Sequence, residues 1–415
     1  MQRFACRLTK EDYGGWKAIR LSNGLIDVVV APEIGGRIIQ LRLASRDFLY
    51  VNRRHQGRVY TAEENCAAAG WKNYGGSKVW PAPQGWESAE QWPGPPDPIL
   101  DGGSYSCRVL EETASSVAIG LESQHDEYTG LTFSREIKVR EDRSTVQIRH
   151  TMRNTSSRRV RWAVWQVTQQ AIGSALIVYA PARRDRQILG DQPFEGAGID
   201  SETGFWKLAY RDQVAKFAVE AEQGWLAAVR PGEGRALVEE FQLFSGKPYP
   251  DGAPVEFWVN GSGTFTIPGG RVEMDRDPNG CDPFIETEIL SPLVELNPGQ
   301  DYAFSITWQA TTLPSPGLAC VNSLAVVSEA LNIRAEGQKL NVRCGFGVFQ
   351  HGSVELVIID GDGNPENTIP LAEVTPLEPC CVDQRIPRPD RFGSIRLQLK
   401  DPAGRFAGII EECRE

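Results

Sequence analysis

"SSVAIGLESQHDEYTGLTFSREIKVREDRSTVQIRHTMRN", residues 115–154, is three strand-length runs joined by short polar turns. Several of these runs alternate apolar and polar residues. That is the period of an antiparallel strand with one face buried. The series begins at "SYSCRVLEE" (104–112) and continues through "VRWAVWQVTQ" (160–169). Upstream, "GLIDVVVAP" (24–32) and "GGRIIQLRL" (35–43) are rich in β-branched residues and bounded by Gly and Pro. Downstream come "AKFAVEA", "GWLAAVRP", "ALVEEFQLF", "VEFWV", "FIETEIL" and "YAFSITWQA". The best helical candidate is "SLAVVSEALN" (323–332), which also reads as a linker followed by a strand. The fold class is therefore all-β. The absence of a fixed-period repeat argues for a large sandwich over a propeller.

With 415 residues, the chain has room for two or three domains. A boundary is expected near "TTLPSPGLACVN" (311–322). It separates a large domain over 1–312 from a small one over 322–415. The second stretch has its own strands, "QKLNVRCGFGVF", "SVELVIID", "GSIRLQLKD" and "RFAGIIEE", with a turn at "DGDGNP" (360–365). Strand spacing suggests a small immunoglobulin-like β-sandwich, without the Cys–Trp–Cys core signature.

A net charge of −10 argues against a long basic surface, so no nucleic-acid partner is expected. No apolar run approaches the roughly 20 residues that span a membrane, so no membrane partner is expected either. The opening "MQRFACRLTKEDYGGWKAIRL" does not read as a signal peptide. The expectation is a cytoplasmic protein, or an exported one whose leader has been removed. Nine cysteines, an odd number with no CxxC, favour free thiols over a zinc site or a disulfide framework. Nothing in the sequence sets the oligomeric state.

One region escapes the strand pattern. "AGWKNYGGSKVWPAPQGWESAEQWPGPPDP" (69–98) holds four of the eleven tryptophans and has neither strand nor helix period, so it reads as a loop.

"LSNGLIDVVVAPEIGGRIIQLRL" resembles the opening of the galactose-mutarotase-like (aldose 1-epimerase-like) superfamily, matching at Asn23-Gly24, Pro32, Gly35-Gly36 and Arg37. "FIETEILSPLVELNPGQDYAFSITWQ" resembles its closing motif, with Ile285-Glu286-Thr287-Glu288, Pro298-Gly299 and Trp308. Together the two cover roughly residues 15 to 312. The resemblance implies a supersandwich of two large antiparallel sheets with a sugar-binding cleft. The superfamily's mutarotases carry two active-site histidines. The first histidine loop resembles Asn73-Tyr74-Gly75-Gly76 here, and the second region resembles "NTSSRRVRWAVWQVTQ" (154–169), with Trp162, Trp165 and Gln166. The four histidines, His55, His125, His150 and His351, sit in neither. This departure points away from plain aldose mutarotation, towards a branch that kept the cleft and changed its chemistry.

Sugars present apolar C–H faces and hydroxyl rims, which proteins hold with aromatic rings and hydrogen-bonding groups. On that basis Trp71, Trp80 and Trp86 are candidate stacking rings. Lys72, Asn73, Lys78 and Gln84 are candidate partners for hydroxyls or an acidic substituent. The competing reading is a satellite core of rings folded under a long loop. Arg37 is a candidate for a sugar hydroxyl or carboxylate, against a surface ion pair. Glu286 and Glu288, two apart on a strand, share a face. Their repulsion would raise one carboxyl and leave an acid beside a base, as mutarotation requires. The alternative is a solvated strand face. The expected catalytic set is Glu286 as base, with Tyr74, Lys78 or Glu288 as proton donor.

His150 reads as a strand residue, and the His125–Asp126 pair lies near a turn. "DRDPNGCDP" (275–283) lacks EF-hand spacing and reads as a polar loop. No phosphate-cradling glycine loop, G-x-S-x-G elbow or HExxH occurs, so no cofactor or metal is expected. Carbohydrate binding with carboxylate chemistry is the leading expectation. A mutarotase with a substituted donor, a non-catalytic glycan-binding module, and a polysaccharide lyase or hydrolase are the alternatives.

Overall fold

The computed structural model describes residues 5–274, 283–389 and 393–414. All but the last residue of the 275–283 stretch lies outside the described residues. The regular structure of the described residues is nearly all strand, in antiparallel sheets, as the alternation predicts. It divides into two compact units. One gathers Met1–Glu141, Val146–Ala228 and Val238–Trp308; the other gathers Asp142–Thr145, Val229–Leu237 and Gln309–Glu415.

The larger unit is built on a twelve-stranded and a ten-stranded sheet. Across the middle of the twelve-stranded sheet run Arg37–Leu43, Ser77–Ala82, Val160–Ala171, Phe284–Leu290, Val255–Val259, Ala215–Ala221 and Ala182–Leu189, in that order. The five neighbours from Ser77–Ala82 to Ala215–Ala221 are antiparallel. The ten-stranded sheet includes Leu131–Arg140, Thr145–Asn154, Asp301–Thr312 and Arg235–Phe241. Apolar side chains such as Val164, Ile289, Val255, Phe133, Ile148 and Ile306 are fully or almost fully buried. Area removed from water at about 25 cal/mol per Å² is the main force holding such sheets together.

Two expectations change. Ser77–Ala82 is a strand, not part of a loop. Every residue in it is buried, so it shows no alternation, and Pro81 hides it further. It pairs along its length with Val160–Ala171 but meets Arg37–Leu43 only at Ser77. A proline is tolerated where one side of a strand lacks a ladder. Two glycines set its entry. Gly76 has φ +72°, and a Cβ there would lie 2.5 Å from the Ile38 carbonyl oxygen. Gly75, at φ +96°, leaves room for the Tyr50 carbonyl oxygen, which a Cβ would meet at 2.3 Å. The second change is at 323–332, which holds no helix. It lies largely within the strand Ala325–Glu336, where register shifts between Val327 and Asn332 break the period of two.

The smaller unit carries two four-stranded sheets. Val327, Val342, Phe346, Leu356, Ile395 and Leu397 form its core. At its 360–365 turn, Asp360 accepts bonds from the backbone of Asp362 and Asn364, and Gly363 has φ +89°. The eight described cysteines are all free thiols. Among the described residues no helix is long and apolar enough to cross a membrane.

Candidate functional site

Register gathers the site. Lys78 lies opposite Val167, Val167 opposite Glu288, and Glu288 opposite Glu256. In the next row Gln169 lies opposite Glu286, Glu286 opposite Trp258, and Trp258 opposite Lys216. Trp80 lies opposite Trp165. Directly paired residues point the same way from a sheet. One face of the twelve-stranded sheet therefore carries two lysines and three glutamates among tryptophans.

Their contacts form two groups. In the first, Lys78 Nζ lies 3.2 Å from Glu286 Oε1, which also accepts a bond from Gln169 Nε2 at 2.7 Å. The ammonium sits 4.3 Å from the Trp80 ring centroid and 5.0 Å from that of Trp71. In the second, Lys216 Nζ bridges Glu256 Oε2 at 2.7 Å and Glu288 Oε2 at 3.0 Å, 4.5 Å from the Trp165 centroid. Trp165 Nε1 donates to Glu288 Oε2 at 2.7 Å. Solvent reaches the side chains of Glu286 and Lys216, at 11% and 10% exposure, whereas those of Lys78, Glu256 and Glu288 are at 1% or below.

Burial sets the proton affinities. It pulls the Lys78 ammonium below its ordinary range, with Glu286 opposing. It pushes the Glu288 carboxyl up and the Glu256 carboxyl well up, with Lys216 opposing in both. At Lys216 burial acts downward, but the two carboxylates outweigh it and the ammonium is held up. Among the described residues three buried acceptor atoms on this face have no partner: Gln169 Oε1, Glu256 Oε1 and Glu288 Oε1. A buried polar atom without a bond carries a desolvation cost, which a donor would remove.

Of the residues singled out in the sequence, Glu286, Glu288, Lys78, Trp71, Trp80 and Trp165 meet here. Arg37 lies neither on the surface nor free for a ligand. It is fully buried, and its guanidinium donates to Asp101 Oδ1 at 2.5 Å. Trp80 Nε1 donates to the same oxygen at 3.2 Å, and Trp71 Nε1 to Asp101 Oδ2 at 2.7 Å. Asp101 thus fixes both rings that flank Lys78. Lys78 is itself paired with Glu286.

Other candidates fall elsewhere. Tyr74 is buried in an apolar cluster with Trp16, Val29, Ile34 and Ile39, and its hydroxyl accepts a bond from the Tyr60 backbone. Asn73 accepts from the Gly75 backbone and so shapes the turn. Lys72 Nζ donates to the Ala69 carbonyl. Gln84 and Trp86 are exposed beyond the end of the strand, Trp86 at 48%. Trp162 and Gln166 differ in parity from Trp165, so they project from the opposite face. Trp162 Nε1 donates to the Thr129 carbonyl. Gln166 accepts from His150 Nε2 at 2.8 Å and donates to Glu239 Oε2 at 3.0 Å. His150 is a buried strand residue, held down to about 3 by burial.

Behind the site, Glu239 accepts from Thr287 Oγ1 at 2.6 Å and Trp308 Nε1 at 2.8 Å. Gln170 and Thr168 also donate to it. Thr168, Gln170 and Thr287 belong to the two strands whose other face carries Gln169, Glu286 and Glu288.

Sequence reading missed Lys216, Glu256, Gln169, Glu239 and Asp101. The signal for the first two was present. "AKFAVEA" and "VEFWV" each place a charge inside a short apolar strand, where burial demands a partner.

Among curated proteins none matches the chain. Solved structures give likenesses of fold. A TPR-domain-containing protein from Parabacteroides distasonis is 12% identical, with a TM-score of 0.49 over 75% of this chain. The chain spans 54% of that protein's length. A galactose mutarotase-like protein from Clostridium acetobutylicum is 11% identical, with a TM-score of 0.45 over 74% of this chain and 99% of the other. One from Lactobacillus casei is 11% identical, with a TM-score of 0.44 over 71% and 99%. No residue role is carried over from them. The profile of the family described as "Domain of unknown function (DUF4380)" matches residues 17–311, and the chain belongs to that family.

Proposed function

We propose that the charged face of the twelve-stranded sheet binds a carbohydrate and moves protons at its anomeric centre. The observation that carries this reading is the pairing of rings with unsatisfied acceptors. Gln169 Oε1, Glu256 Oε1 and Glu288 Oε1 lack donors, beside the indoles of Trp71, Trp80 and Trp165. A sugar supplies O–H donors and an apolar face together.

Glu286 is the general base in this reading, because its side chain is the most open of the three glutamates. It takes the anomeric O–H proton. The Lys78 ammonium, made a readier donor by burial, protonates the ring oxygen. The bond between the anomeric carbon and the ring oxygen breaks, giving the open-chain aldehyde. Reclosure on the other face returns both protons, so nothing is consumed.

The test has two stages. A thermal-shift panel of neutral, amino and acidic sugars identifies ligands, because binding stabilises the native state by mass action. Polarimetry on the best ligand then compares wild type with Glu286→Gln. The expected loss of rate is about 10²–10⁴-fold. Unchanged rates would remove Glu286 from the mechanism. The tight internal pairing of Lys216 with two buried carboxylates favours a second reading, a binding module without turnover. That reading expects no mutarotation, sugar affinity retained in Glu286→Gln, and affinity lost in Trp71→Ala.

A further inference from the structure

The two charged groups on this face are unequal. Lys78 and Glu286 balance each other. At the other end, one ammonium, Lys216, lies between two carboxylates, Glu256 and Glu288. That end holds one negative charge too many when both carboxylates are ionised.

Its hydrogen-bonding capacity is unequal too. The Lys216 ammonium is engaged by both carboxylates, Trp165 Nε1 by Glu288, and Gln169 Nε2 by Glu286. Among the described residues, the buried side-chain atoms left over on these five strands' shared face are acceptors: Glu256 Oε1, Glu288 Oε1 and, beside Glu286, Gln169 Oε1. The amide oxygen of Gln169 is independent of the acidic pair and adds a third unfilled acceptor. A ligand that completes this end brings N–H or O–H donors and a positive charge. A carboxylate or phosphate brings neither, and meets two glutamates.

We propose that the preferred ligand is an amino sugar, bound as its ammonium form with the amine directed to Glu256 and Glu288 and a hydroxyl to Gln169. This rests on the carbohydrate reading above and narrows it. The Lys78–Glu286 end is left to the anomeric centre. The charged groups facing the pair are Lys216 between them, Glu286 with its partner Lys78, and Asp251, whose negative charge acts on Glu256. Two acids therefore reinforce the preference for a cation, and the lysines are already paired. Burial raises the proton affinity of both carboxyls, so an arriving ammonium competes with a proton for the pair.

Titration calorimetry on the full chain tests this with matched probes: glucosamine and galactosamine, their N-acetyl forms, glucose and galactose, glucuronic acid, and ethanolamine as an amine without a ring. The expected result is binding of at least one amino sugar at least tenfold tighter than its N-acetyl form. Proton release on binding, read from two buffers of different ionisation enthalpy, accompanies it. Glucuronic acid gives no binding. Equal or tighter binding of the N-acetyl, neutral or acidic sugars overturns the inference and leaves the carbohydrate reading standing. Ethanolamine binding as tightly as the amino sugars also overturns it. No binding by any sugar removes both readings. In Glu256→Gln the ratio of amino-sugar to neutral-sugar affinity falls towards one. The wild-type comparison decides the question even where that variant fails to fold.

Discussion

Asp101 shows how much rests on one side chain. It is fully buried and accepts N–H bonds from Arg37, Trp71 and Trp80. Removing its charge strands a buried guanidinium. Loss of one partner from such a pair costs about 3–5 kcal/mol. Urea unfolding of Asp101→Asn is expected to show a loss of that size, with altered tryptophan fluorescence as Trp71 and Trp80 loosen. The exposed pair of Arg42 and Asp47 is the control, worth about 1 kcal/mol or less. The sequence showed Arg37 after a glycine turn. It did not show Asp101, 64 residues away, as its partner.

At the scale of elements, Glu239 ties strands together. Thr168, Gln170 and Gln166 reach it from one strand of the facing sheet, Thr287 from the next, and Trp308 from the neighbouring strand of its own sheet. Burial raises its carboxyl to about 7, against the donors that pull it down. The folded state therefore holds this proton more tightly than the unfolded chain, whose carboxyl titrates near 4.5. The stabilisation is fully present below about pH 4.5 and is lost as pH rises through 7. Over that window it amounts to roughly 3 kcal/mol, at about 1.4 kcal/mol per pH unit. Stability measured against pH is expected to carry this falling component in wild type, and Glu239→Gln to lack it. An identical pH slope in the two proteins would place the titration elsewhere. Parity was the readable part at this scale. Trp162 and Gln166 cannot share a face with Trp165, because strand side chains alternate. The "ALVEEFQLF" run showed a strand, but not that one of its glutamates lies between sheets.

At the scale of the whole molecule, each unit depends on its own apolar core. Leu356 is fully buried within the smaller unit, among Val342, Phe346, Leu397 and their neighbours. Truncating a buried leucine costs about 2–5 kcal/mol through lost transfer energy and the cavity left behind. Leu356→Ala is expected to lose that much. Faster amide exchange in Lys339–Val348 and Gly352–Ile359, read by mass spectrometry, is the check. Slow exchange there in the variant would mean that the core closes around the cavity.

The sequence by itself determined the all-β class and most strands, because alternation and turn chemistry are local properties of consecutive residues. It also determined that Glu286 and Glu288 share a face. It concealed Ser77–Ala82, since a strand buried on both faces has no alternation to read. Only the tertiary structure decided which charges meet. Lys78 and Glu286 are 208 positions apart, and Lys216 finds two glutamates on other strands. Register across a sheet creates those pairs. Register follows from the packing of many strands together, which no short stretch of residues encodes.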